Sequence, residues 1–199
     1  MPRPTASSAL ISANALWGLI ALAAVVALTM LFAKPEGLIR TTIHLALIEY
    51  AIALWLMMSM TLPDWEAQTT TGRFARHAWT WSCITLLIHV ACAFHFTHHW
   101  SQARALEQTR RESGFAEGLY VNYALIALWI ADSAWWQLAP NSYARRPRGI
   151  DRALHGFMFF IAFNATVVFE TGPVRYAGLI ATLLLASRFS SRLIRPRPA

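Results

Sequence analysis

The chemistry-bearing residues cluster on one apolar stretch. Between positions 77 and 99 lie His77, His89, His95, His98 and His99, five of the seven histidines in the sequence. At about 100° per residue, His77, Trp81, Thr85, His89, Cys92, His95 and His99 share roughly 120° of one helix face, with His98 about 60° outside it. Ionisable side chains are costly in lipid, so such a stripe points to a ligand-bearing or proton-conducting face, or to an interior face whose imidazoles bond neighbouring helices. His44, on the preceding apolar segment, falls at nearly the depth of His95 if the two segments run antiparallel. Two histidines facing each other across antiparallel helices are the arrangement that holds a b-type haem, so His44 and His95, with His89 as the substitute ligand, are the candidate cofactor-binding residues.

The outer end of the stripe reads His95-Phe96-Thr97-His98-His99. On a continuous helix the i, i+3 and i+4 spacings bring His95, His98 and His99 together, and imidazoles so placed can share an iron or zinc ion. The pattern resembles one histidine box of the membrane desaturases and hydroxylases. That family holds two irons with several boxes, and His44, His77, His89 and His155 form no second one here.

Other intramembrane polar residues are candidates for proton relay or helix packing. Glu49 sits deep in the second apolar segment, about 140° from His44 and on the face of Thr42. Asn122, Trp129, Asp132, Ser133 and Trp136 share roughly 100° of the fourth, where Asp132 is expected to meet His77 or Arg76. His155 and Asn164 lie on opposite faces of the fifth. Cys83 and Cys92 point to opposite faces of one helix and cannot pair there.

These residues need helices to carry them, and the composition says the helices are in a membrane. Of 199 residues, 56% are hydrophobic and 14% charged, against roughly 25% charged in soluble domains. A spanning helix needs about 20 apolar residues. The sequence predicts an all-α, polytopic transmembrane bundle forming a single domain over 1–199, with six spans near 9–33, 38–62, 78–99, 119–138, 153–171 and 174–190. Lys34-Pro35-Glu36-Gly37, Pro63-Asp64, Ser113-Gly114, Pro140-Asn141-Ser142 and Gly172-Pro173 separate them. The first run is longer than a signal peptide's apolar region and is read as an uncleaved span. The third helix is expected to continue past the bilayer to about Glu112.

Lys and Arg set the orientation. Eleven lie on the side of both termini (Arg3, Arg73, Arg76, Arg145, Arg146, Arg148, Arg152, Arg188, Arg192, Arg195 and Arg197) and six on the other (Lys34, Arg40, Arg104, Arg110, Arg111 and Arg175). Both termini are therefore expected in the cytoplasm, in a bacterial cytoplasmic membrane. The formal charge of +7 reads as topology and lipid contact rather than nucleic-acid binding.

No Walker A loop, GxGxxG, GxSxG or HExxH is present. Three functions stay open: a redox subunit binding haem b and exchanging electrons with a quinone or partner; a non-haem metal enzyme using His95, His98 and His99; and a cofactor-free accessory subunit packing against other membrane subunits.

Overall fold

The computed structural model describes residues 34–194, with side chains through residue 191. The expected first span, 9–33, and Arg3, Arg192, Arg195 and Arg197 lie outside that description. The described chain is helical throughout and contains no strand.

Helix α1, Pro35–Met57, starts with proline in its first turn, where the missing N–H costs nothing. A one-turn helix α2, Leu62–Trp65, follows. Helix α3, Thr70–Cys92, is capped by the Thr69 hydroxyl, which accepts from the Gly72 N–H at 3.0 Å. It continues as a π-helical stretch, Ala93–His98. There the axis ends, because His99 and Trp100 adopt φ of 50° and 58°, left-handed backbone that breaks a right-handed helix.

The residues expected to prolong the third helix instead form a separate helix α4, Gln102–Ser113. Ser101 caps its start, accepting from Arg104 N–H at 3.4 Å. Gly114 at φ 77° ends it. Helix α5, Gly118–Leu138, leaves at 105° to α4. Helix α6, Pro140–Ala144, is a short turn before α7, Arg148–Phe163, which ends in a second π-helical stretch, Asn164–Val168. Helix α8, Gly172–Ile194, closes the described chain.

Two of these helices are long and apolar enough to cross a membrane, Pro35–Met57 and Thr70–His98, and the bent pair α4–α5 qualifies as a third. The first turns of α7 carry Arg148, Asp151 and Arg152, and α8 carries Arg175 and Arg188. Large apolar side chains face outward along the helices, including Ile48, Ile52, Leu128, Ile130, Phe160, Ile180 and Leu183. Outward apolar surface on this scale is what lipid or partner helices cover.

Helices α1 and α3 form the most extensive pair and run antiparallel. Around them Tyr50, Leu54, Trp79, Cys83, Trp129, Trp136, Tyr143, Met158 and Leu185 build one core drawing on α1, α3, α5, α6, α7 and α8. Helix α8 packs on the second π stretch so closely that a Cβ at Gly178 would lie 2.8 Å from the Thr166 side chain.

Candidate functional site

The described bundle has a histidine end, carrying residues 93–117, and an arginine-rich end, carrying the connections 58–69 and 139–147. The most elaborate polar constellation is at the arginine-rich end, centred on Asp132.

Asp132 is buried on α5. A carboxylate there must be satisfied on both oxygens. Oδ2 accepts from the Trp79 indole N–H at 2.9 Å and from the Tyr143 hydroxyl at 2.9 Å. Oδ1 accepts from the Arg146 guanidinium at 2.6 Å. Arg146 is itself 4% exposed, lies 3.8 Å over the Tyr143 ring, and donates to the Asp151 carboxylate. The same guanidinium approaches His155 Nε2 at 3.1 Å. The 139–147 connection is thereby bound to α5 and α7, and α3 joins the network through Trp79 on Asp132. The expected Asp132 contact with His77 or Arg76 is not formed. Those two residues precede Trp79 on α3, but Trp79 is the side chain turned towards α5.

Aromatic packing reinforces this network. Trp136 and Tyr143 stack at 4.8 Å with planes 5° apart. Trp136 also donates to the Trp65 carbonyl at 3.0 Å. Trp79 contacts Tyr50, Trp129 and His155 at centroid distances of 5.8, 5.1 and 5.2 Å. Burial works to raise the Asp151 pKa, but hydrogen bonds and charge from His155 and Arg146 outweigh it and hold the carboxyl at about 2. Asp64, within α2, is also held low, by hydrogen bonds from Thr61 and Thr69.

The polar stripe of the third helix divides into parts with different fates. Its middle faces α1. His89 Nδ1 lies 3.0 Å from the Ile39 carbonyl and 3.5 Å from the Thr42 hydroxyl. Thr85 donates to Glu49 at 2.9 Å, and Ser82 donates to the Ala46 carbonyl at 2.6 Å. Glu49 thus meets the stripe through Thr85. Thr80 accepts from Gln137 of α5 at 2.7 Å. His77 is half-buried at the arginine-rich end.

The part of the stripe at the histidine end is open rather than enclosed. His95 and His99 are exposed and His98 is half-buried. His95 accepts from the Trp100 indole at 3.3 Å, and His98 lies edge-on to Phe94. The α-helical spacing that would draw His95, His98 and His99 together is absent. The first two sit in the π stretch, and His99 lies beyond it with left-handed backbone. Among the described residues, no three His, Cys, Asp or Glu side chains are grouped closely enough to hold one metal ion. His44 is half-buried on α1 and Asn122 is exposed on α5. His155 joins the Asp132 network, while Asn164 bonds back to the Phe160 carbonyl at 2.7 Å.

Sequence reasoning missed Tyr143, Arg146 and Asp151. They lie in a connection and a first helical turn, where charge reads as a topology signal. One indication was available: Arg146 and Asp151 bracket Pro147, so a turn there could bring them together.

Comparison of the chain with protein-family models, with curated proteins and with solved structures finds no match.

Proposed function

We propose that the chain is a six-span protein of a bacterial cytoplasmic membrane, with both termini in the cytoplasm, acting as a non-catalytic packing subunit of a larger membrane complex. One observation carries this reading. Five polar side chains at the centre of the bundle are taken up in contacts between helices: His89 and Ser82 bond to backbone carbonyls of α1, Thr85 to Glu49, Thr80 to Gln137 of α5, and Trp79 to Asp132, while Tyr50 Oη and Trp129 Nε1 are buried without a partner among the described residues. Polar residues bonded between helices hold a bundle together and need no further role. The arginine distribution supports the orientation, and the outward apolar faces supply surface for neighbouring subunits.

The test is isolation from native membranes in mild detergent. A packing subunit is colourless and metal-free and migrates on native gels in a complex of fixed stoichiometry. A monodisperse protein migrating alone would overturn the reading.

A second reading is a redox subunit that binds haem b and passes electrons to or from a quinone or partner protein. It is favoured by His89. The Ile39 carbonyl can only accept, so the His89 proton sits on Nδ1 and Nε2 keeps its lone pair. Metal-ligating histidines commonly donate their other ring N–H to a backbone carbonyl in this way. In this reading His89, with His44 or His95, supplies the axial ligands. A Soret band that His44→Ala, His89→Ala and His95→Ala all leave intact would sink the assignment. A colourless protein with stoichiometric iron or zinc would instead direct attention to His95, His98 and His99.

A further inference from the structure

The sequence has ten Asp and Glu residues, and none lies in 1–33 or 195–199. The segments outside the structural description therefore bring no side-chain carboxylate to the bundle. Four acidic residues lie at the arginine-rich end, and each is engaged. Asp64 accepts from Thr61 and Thr69. Glu66 pairs with Arg145 at 3.4 Å. Asp132 and Asp151 hold Arg146.

Arg188, in the last turns of α8, has none of them. Its guanidinium carbon lies 4.3 Å over the Trp55 ring of α1. Its Nε is buried and has no hydrogen-bond partner among the described residues. A half-buried guanidinium needs an acceptor, and an aromatic face satisfies its charge without satisfying its N–H groups.

The surface beside this pair identifies the anion. On α1, Ile48, Ile52 and Trp55 follow at helical spacing, 57%, 43% and 39% exposed. On α8, Ile180 and Leu184 stand two turns and one turn before Arg188, 59% and 53% exposed. Helices α1 and α8 are in contact, and Trp55 on Arg188 shows that both stripes run towards the arginine-rich end. A cationic, aromatic end continued by an apolar strip along two helices matches one kind of molecule: an anionic head with hydrocarbon chains. Free phosphate would use the first half of that surface and leave the second unused.

We propose that the α1–α8 seam is a binding site for an anionic phospholipid, its phosphate held by Arg188 against Trp55 and an acyl chain laid along Ile48, Ile52, Ile180 and Leu184. The guanidinium fork suits two phosphate oxygens, and the membrane leaflet that attracts arginine-rich ends is the one rich in anionic lipid. The site is independent of any redox role.

The test uses the full chain in a neutral detergent, titrated with phosphatidylglycerol, phosphatidylcholine or inorganic phosphate. Thermal unfolding and bound lipid, by native mass spectrometry, are the readouts. Phosphatidylglycerol should bind and raise the melting temperature, while the other two should not. Losing a charge-assisted phosphate contact should weaken phosphatidylglycerol roughly tenfold in Arg188→Gln. Arg188→Lys, which keeps the charge without the fork, should fall between, and Trp55→Leu should also bind more weakly. Arg152→Gln, at an exposed position, should match the parent. Equal response to phosphatidylcholine, an equal shift with inorganic phosphate, or unchanged binding in both Arg188→Lys and Trp55→Leu would overturn the proposal.

Discussion

Replacing Asp132 by alanine should destabilise the chain by about 3–5 kcal/mol, the range for breaking one side of a buried ion pair. Asp132 and Arg146 side chains are 5% and 4% exposed. Removing the carboxylate leaves the Trp79 N–H and the Tyr143 hydroxyl without their acceptor, each costing about 1–3 kcal/mol if it finds no other. It also leaves the Arg146 guanidinium with Asp151 as its one remaining carboxylate. These costs overlap, since one relaxation serves all three donors, so their sum exceeds the expected value. Asp132→Asn keeps an oxygen for Trp79 and Tyr143 but loses the charge, and should fall between alanine and the parent. Arg146→Met alone leaves a buried charged carboxylate. Combined with Asp132→Ala it removes both charges, so the double variant should be less damaged than the sum of the singles, with a coupling of about 1–3 kcal/mol. Unfolding in mixed micelles by added dodecyl sulfate, followed by tryptophan emission, measures all four. A loss below about 1 kcal/mol for Asp132→Ala, or additive single variants, would refute the reasoning that this pair organises the arginine-rich end.

Gly72→Ala should destabilise by more than about 1 kcal/mol, because overpacking against backbone cannot relax by a rotamer change. A Cβ there would fall 2.0 Å from the Asp64 carbonyl oxygen, and unfolding under the same conditions measures the loss. The Asp151 carboxyl is depressed from 3.8 to about 2. Its contribution is therefore complete above the ordinary carboxylate value and is lost as pH falls from about 4 towards 2. Asp151→Asn should flatten that part of the stability–pH curve, and an unchanged curve would dismiss the contact with Arg146 and His155. Ser82→Ala and Thr85→Val, on the α1–α3 seam, should each cost only about 0.6 kcal/mol and no more than about 1.7 kcal/mol, as interhelical hydrogen bonds in membranes do. A larger loss in either would mean that the seam carries more than packing.

Much of the architecture was legible because proline, glycine and apolar runs act locally. The expected spans at 38–62, 78–99, 119–138, 153–171 and 174–190 each overlie a described helix. Pro35, Pro140 and Gly172 stand at the boundaries their backbone preferences require. The break after the third helix was not legible. Residues 101–112 favour helix, and so does the stretch before them, so nothing local marks His99 and Trp100 as the place where the axis ends. Their left-handed backbone is seen only once α4 is placed against α5 and the π stretch.

The candidate residues separate in the same way. Spacing alone put Thr85 and His89 on one face, and both do face α1, because 3.6-residue periodicity needs no partner to be true. Spacing could not say what Asp132 would bind. Its partners lie 53 residues before it and 11 and 14 after it, and a carboxylate takes whichever donors the packing delivers. The sequence by itself determined that the chain is helical and apolar, where its helices lie and which side chains share a face. Only the tertiary structure decided that Trp79, rather than His77 or Arg76, meets Asp132, that Arg146 enters the core, and that Arg188 rests on Trp55 without a carboxylate. Contacts across distant segments depend on which helices become neighbours, and that choice is made by the packing of the whole core.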